Sequence, residues 1–218
     1  MPIVIALSTT IPGVTTRLTR EQSKAATREK LLDAARQVFA ARGFHGASVE
    51  EIAAVAGYST GALYSNFDGK EDLFMVLMSR EVSRHVEWFT DVVAHRATVA
   101  ERTEGGADFW MAFIEREHEM LLLMVEFWAY GVRDPDVRPH VAAHFAEVRQ
   151  MLTRLVSDSA REFDLELTLP AEYLAIAIDA LADGIARQKL ADPDAIPGDL
   201  MRTALATLFA GATRPIGA

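Results

Sequence analysis

The chain has 218 residues, half of them hydrophobic, with 31 acids against 22 bases and no cysteine, for a formal charge of −9. A sizeable core is expected, and disulfides and thiolate chemistry are excluded. Such acidity argues against nucleic acid only until the charge is located: residues 17–70 carry eight Lys or Arg against six acids, and all of the acidic excess lies beyond residue 70.

Residues 1–22 read as a Thr-containing arm, broken by Pro12 and Gly13 and ending in the basic residues Arg17 and Arg20, with Lys24 just beyond. Such an arm either follows a DNA backbone or minor groove or is simply solvated. Its apolar run, Ile3 to Leu7, is too short for a membrane span and lacks the basic start of a secretory signal, so a cytoplasmic protein is expected.

From about Thr27 to Arg42 the residues Leu31, Leu32, Ala35, Val38 and Phe39 form a helical stripe, closed by Gly43, with Phe44 free to pack beneath the next helix. Ser48 followed by Glu51 is a capping box that opens a second helix, with Ile52, Val55 and Ala56 on one face and Gly57 as its terminator. Ser59 or Thr60 then caps a third, short helix that turns Leu63 and Phe67 inward. Its outer face is Thr60, Gly61, Ala62, Tyr64, Ser65 and Asn66, all small or hydrogen-bonding. A face of that kind suits close approach to phosphates and base edges, which makes the pair a helix-turn-helix with the second member as reader. It offers no Arg or Lys for bidentate guanine contact, so hydroxyl, apolar and backbone contacts must supply the preference. Asp68 with Glu71 reads as another capping box, opening a long helix through Leu73, Phe74, Leu77, Val82, Val86 and Phe89 to about Ala94.

Thr27 to Leu77 resembles the DNA-binding domain of the TetR family of bacterial transcriptional regulators. The likeness rests on Phe39-Ala-Ala-Arg-Gly-Phe44, Ser48-Val-Glu-Glu-Ile-Ala-Ala-Val-Ala-Gly57, Thr60-Gly-Ala-Leu-Tyr-Ser-Asn-Phe67 and Lys70-Glu-Asp-Leu73. It implies an all-α fold of about nine helices: a three-helix DNA-binding domain over 23–74, and a larger helical domain over 75–218 for ligand binding and dimerisation. It also implies a homodimer on double-stranded palindromic operator DNA, most often a repressor, that a small-molecule effector releases. By position, the family's DNA contacts fall on Ser48, Ser59, Thr60, Gly61, Tyr64, Asn66 and Lys70. Lys70 adds a cation to the free N–H groups of a helix N-terminus. Ser48 could equally be a cap alone.

Beyond residue 95 no position aligns. Gly105 and Gly106 mark a break before helices over about 107–115 and 119–130. Asp134-Pro135 opens another to about Phe163, Pro170 one to about Leu190, and Gly198 precedes a last one to about Ala210. Phe109, Trp110, Phe113, Met120, Met124, Phe127 and Trp128 form an aromatic and Met-rich stripe that is either core or the lining of an apolar pocket. Glu126 could meet a cationic ligand there; the simpler reading has Glu117 and Glu126 on solvent or paired with Arg116 or Arg133. Leu174, Ile178, Leu181, Ile185, Leu205, Leu208 and Phe209 either pack internally or form a four-helix dimer interface.

His140, His144 and Glu147 share a helix face at metal-ligand spacing, although such triplets arise often by chance. His118-Glu119 is not completed into a zinc-protease motif, and phosphate-loop, dinucleotide and nucleophile-elbow patterns are missing. The expectation is no enzyme, no cofactor, no metal and no membrane. The rival readings are a constitutive DNA-binding regulator without effector, and a helical carrier or scaffold.

Overall fold

The computed structural model describes residues 19–94 and 96–216. The proposed arm, with Arg17, lies outside the described residues except for its end. That end is helical: α1 spans Arg20–Gly46. Thr19 and Gln22 form a reciprocal cap, each side-chain oxygen accepting from the other's backbone N–H at 3.2 and 2.9 Å. This cap starts the helix before Thr27 and places Arg20 and Lys24 on it.

The helix-turn-helix follows the expected residues. Ser48 Oγ accepts from the Glu51 N–H at 3.1 Å and opens α2 (Val49–Ala56), which ends at left-handed Gly57. Ser59 Oγ accepts from the Ala62 N–H at 3.2 Å and opens α3 (Thr60–Tyr64). The buried face of α2 is Val49, Ile52 and Ala53, while Val55 is 51% exposed. The inward stripe of so short a helix is thus rotated from the one expected. α4 spans Lys70–Ala94, but the Asp68 N–H donates to Asp72 Oδ2 (3.0 Å) at its entry instead of Glu71 closing a box.

Gly105 and Gly106 do not break the chain. Both are buried inside α5 (Val99–Arg116), where a Cβ on Gly106 would meet the Phe89 ring at 3.4 Å. The smallness of Gly106 lets α4 and α5 lie close, while Gly105 faces Arg96. α6 spans His118–Gly131, and α7 spans Arg138–Glu162 with Pro139 in its first turn. Asp134 caps the preceding turn instead, its carboxylate accepting from the Asp136 N–H at 2.9 Å. α8 (Ala171–Ala191) and α9 (Leu200–Ala212) complete nine helices among the described residues. Strands β1 (Leu165–Leu167) and β2 (Thr213–Pro215) pair antiparallel, with Leu165 opposite Pro215. β1 lies in a run that alternates apolar and polar residues from Phe163 to Leu169, a period-2 strand signal, whereas β2 has no such run.

Two apolar clusters form. The first fills the helix-turn-helix with Leu31, Phe39, Ile52, Leu63 and Phe74, then continues into Met120, Leu123 and Phe127 of α6 and Val141 of α7. The second joins α5, α7, α8 and α9 through Phe113, Leu152, Leu174, Ile185 and Leu205. Each such fully buried Leu or Phe contributes about 1.5–3 kcal/mol. Leu174, Ile178, Ile185 and Leu205 are therefore core of one protomer and cannot form the dimer surface proposed for them. Leu181, Leu208 and Phe209 pack half-buried on the same cluster. The exposed apolar face of α8 carries Tyr173 and Ile176 instead.

Candidate nucleic-acid interface and cavity

Leu63 and Phe67, both buried, seat α3 on the small domain and turn Tyr64 outward at 58% exposure. Gly61 and Ser65 are exposed beside it, and Thr60 is half-buried. The Ser48 and Ser59 oxygens serve as caps, which leaves each hydroxyl proton free to donate outward. Asn66 is turned back: its side-chain nitrogen donates to the Ala62 carbonyl at 2.8 Å, and its backbone carbonyl accepts from Arg28 at 2.6 Å.

Lys70 does more than stand at a helix start. Its ammonium donates to the Phe44 and Ala47 carbonyls at 3.0 and 3.2 Å and lies 4.6 Å from the centre of the Phe44 ring. It thereby clamps the end of α1, where carbonyls attract a cation. Its side chain is half-buried, not a free surface charge.

Between α4, α5, α7, α8 and α9 lies a cavity of about 170 Å³. Phe89, Phe109, Trp110, Phe113 and Phe209 supply aromatic wall, and Trp110 is held by donating its indole N–H to the Ala182 carbonyl at 3.0 Å. Its polar corner is His144, Asp179 and Asp183. Burial and the neighbouring Asp183 push the Asp179 carboxyl up to about 6. Burial likewise raises Asp183 and lowers His144 and His85, so both imidazoles favour the neutral form. Arg102, at another part of the lining, is occupied by Ser159 at 2.8 Å and Glu162 at 2.7 Å.

Of the residues expected to line a pocket, Phe109, Trp110, Phe113 and Met124 do so. The others do not line this cavity, although Phe127 and Trp128 border a smaller adjoining one of about 60 Å³. Met120 and Phe127 belong to the first apolar cluster, Phe127 lying edge-on to Phe74 at 5.6 Å, because this side of α6 faces the DNA-binding domain. Trp128 is 42% exposed under Arg187. Glu126 accepts from the Phe44 N–H at 2.7 Å. Sequence spacing could not reveal that partner, since it lies 82 residues away.

Glu117, at the α5–α6 junction, is a second cross-link, accepting from Arg36 of α1 at 2.5 Å. Arg36 also reaches Glu81 of α4 at 3.4 Å, a carboxylate with no exposed surface that Arg84 and Arg80 also approach, at 2.5 and 3.6 Å. One turn further along α4, His85 lines the cavity. An ion-paired cluster that begins one helical turn from the cavity wall thus reaches α1. Sequence reading missed Arg36 and Glu81, because a charged residue on a helix looks solvated until its neighbours are known.

His140 is exposed, His144 lines the cavity and Glu147 accepts from the Ser83 hydroxyl at 3.1 Å. Among the described residues no three His, Cys, Asp or Glu side chains are grouped to hold a metal, and no helix is long and apolar enough to cross a membrane.

An all-helical chain with a helix-turn-helix at one end, a cavity-bearing body at the other and a shared core between them has the architecture of a DNA-binding regulator. Residues 31–77 match the family described as bacterial regulatory proteins, tetR family. Residues 99–213 match the C-terminal part of BetI-type transcriptional repressors. The transcriptional repressor AcnR of Corynebacterium glutamicum is 36% identical over 157 residues, covering 72% of this chain and 78% of its own length. The transcriptional activator FasR of Mycolicibacterium smegmatis is 29% identical over 161 residues, covering 73% and 70%. In fold, the chain is similar to the regulator FadR of Bacillus subtilis in complex with stearoyl-CoA: TM-score 0.69, 19% identity, 84% of this chain and 98% of that one. The chain belongs to the TetR family of bacterial transcriptional regulators.

Proposed function

We propose that the protein represses transcription as a cytoplasmic homodimer on a palindromic operator, and that a small apolar or amphipathic effector in the cavity releases it. The observation that carries this reading is the pair of links between body and reader, Glu126 to the Phe44 N–H and Glu117 to Arg36. α4 runs from Lys70, beside α3, to the cavity wall at Phe89 and Val93, so a ligand that shifts this wall also tilts the reader. Two recognition helices meet successive major grooves only when about 34 Å apart, so a small tilt in each protomer disrupts simultaneous contact.

The DNA contacts are assigned to Ser48, Ser59, Thr60, Gly61 and Tyr64, with Asn66 and Lys70 acting chiefly by fixing the ends of α3 and α1. The dimer surface is assigned to the outer face of α8, around Tyr173 and Ile176, where apolar side chains are exposed. Nothing in this scheme requires an enzymatic step. Two titrations followed together test it: tryptophan fluorescence with a panel of lipophilic compounds, and release of a labelled operator duplex. A compound that fills the cavity and lowers operator affinity supports the scheme. Cavity occupation with unchanged operator affinity overturns it and favours a regulator without effector control.

A further inference from the structure

We infer that the effector cavity takes a compact lipophilic cation, an amine with an apolar body about one ring in size, whose ammonium group sits between Asp179 and Asp183. This inference rests on the proposal that the cavity is an effector site, and it adds the ligand's charge and size.

Size follows from the volume. At about 170 Å³ the cavity is slightly larger than an apolar cavity of roughly 150 Å³ known to hold benzene. The aromatic wall of Phe89, Phe109, Trp110 and Phe113 suits a flat or aliphatic body and attracts a cation through the ring faces.

Charge follows from the polar corner. Asp179 and Asp183, four residues apart on α8, both line the cavity and also a groove of about 300 Å³ outside α8 that includes Ile176 of the proposed dimer surface, so they stand in the wall between the interior and that face. Asp183 is paired with Arg187 at 3.0 Å. The other nearby cation, Arg149, reaches Glu172 at 3.8 Å. No hydrogen bond or ion pair engages the Asp179 carboxylate among the described residues, although desolvation penalises its charge. His144 completes the corner, and its buried Nδ1 has no hydrogen-bond partner among the described residues. A partly desolvated carboxylate in the wall of an aromatic cavity, with Arg149 and Arg187 near but not bonded to it, is held at a cost that an ammonium donor lowers. An anionic ligand would meet these acids with repulsion, and Arg102 is already engaged by Glu162.

The test compares 2-phenylethylammonium, neutral 2-phenylethanol and phenylacetate on the full chain, by calorimetry and Trp110-sensitive fluorescence. In wild-type protein the cation binds at least about tenfold more tightly than the alcohol, and phenylacetate most weakly. In Asp179→Asn that preference falls to about twofold or less, while the alcohol binds as before, which shows that the cavity is intact. No preference for the cation, a preference that survives Asp179→Asn, or no binding of any probe overturns the inference. Preferred cation binding without operator release leaves the cation site standing and overturns the effector reading. Operator release by the alcohol or the acid, with no preference for the cation, does the reverse.

Discussion

The carboxylate of Glu126 on α6 accepts the backbone N–H of Phe44 at 2.7 Å, one residue beyond Gly43, where α1 bends with φ of 69°. The body of the protein thereby holds the end of the first helix of its DNA-binding domain. Glu126→Ala leaves that N–H without its acceptor, and an unsatisfied buried donor costs about 1–3 kcal/mol. Denaturant unfolding should show a loss of that order, with binding of cavity ligands unchanged. Weakened ligand binding at full stability would return Glu126 to the cavity.

Gly43 tests the same junction from the other side. A Cβ there would lie 2.8 Å from Glu126 Oε1, and the backbone conformation itself, φ 69° with ψ 172°, costs an L-residue about 1–3 kcal/mol. Gly43→Ala should therefore destabilise by more than that strain alone. In a Glu126→Ala background its cost should shrink toward the strain term, a non-additivity that a double-mutant cycle on unfolding free energies measures.

Tyr64 and Lys70 should separate. Tyr64 is 58% exposed, so Tyr64→Ala should leave stability within about 0.5 kcal/mol of wild type while reducing duplex affinity. Lys70→Ala should lower both, since it frees the Phe44 and Ala47 carbonyls as well as removing a cation near DNA. Thermal unfolding beside duplex titration distinguishes the two patterns.

Asp179 carries a pH signature. Its carboxyl is raised from an ordinary 3.8 to about 6 by burial and then by Asp183, against the opposing pull of Arg149 and Arg187. The folded state therefore holds its proton more tightly than the unfolded state, and this group's contribution to stability falls as pH rises from about 4 to about 6. Asp179→Asn removes that penalty. It should stabilise the protein by roughly 1–2 kcal/mol at pH 7–8, less than the full shift implies because the group is partly solvated, and by little at pH 4. Unfolding midpoints of both proteins across this range provide the check.

The helix-turn-helix was legible because its signals are local. Ser48, Gly57 and Ser59 act on backbone within four residues of themselves, and Leu63 and Phe67 share one short helix face. The aromatic stripe of α5 was legible as buried, but its spacing could not tell core from lining; Phe109, Trp110 and Phe113 border the cavity. On α6 the same composition faced elsewhere: Phe127 meets Phe74, and Glu126 meets Phe44. Those partners lie on elements far away in sequence, so helical spacing predicts that a face is buried but not against what. The apolar stripe of α8 had the same ambiguity, and the protomer's own α5, α7 and α9 resolve it. Asp179 and Asp183, polar residues between core positions of α8, carried no local sign that they border a cavity.

The central claim is that the α2–α3 face reads DNA. It is tested most directly by the affinity of wild-type protein and Tyr64→Ala for a labelled duplex carrying the DNA that flanks its own gene, across a series of salt concentrations. The account predicts tight wild-type binding at low salt that falls steeply as salt rises, from release of phosphate counterions, and a clear loss of affinity in Tyr64→Ala. No duplex binding at low salt, or a Tyr64→Ala variant that binds as well as wild type, would contradict it.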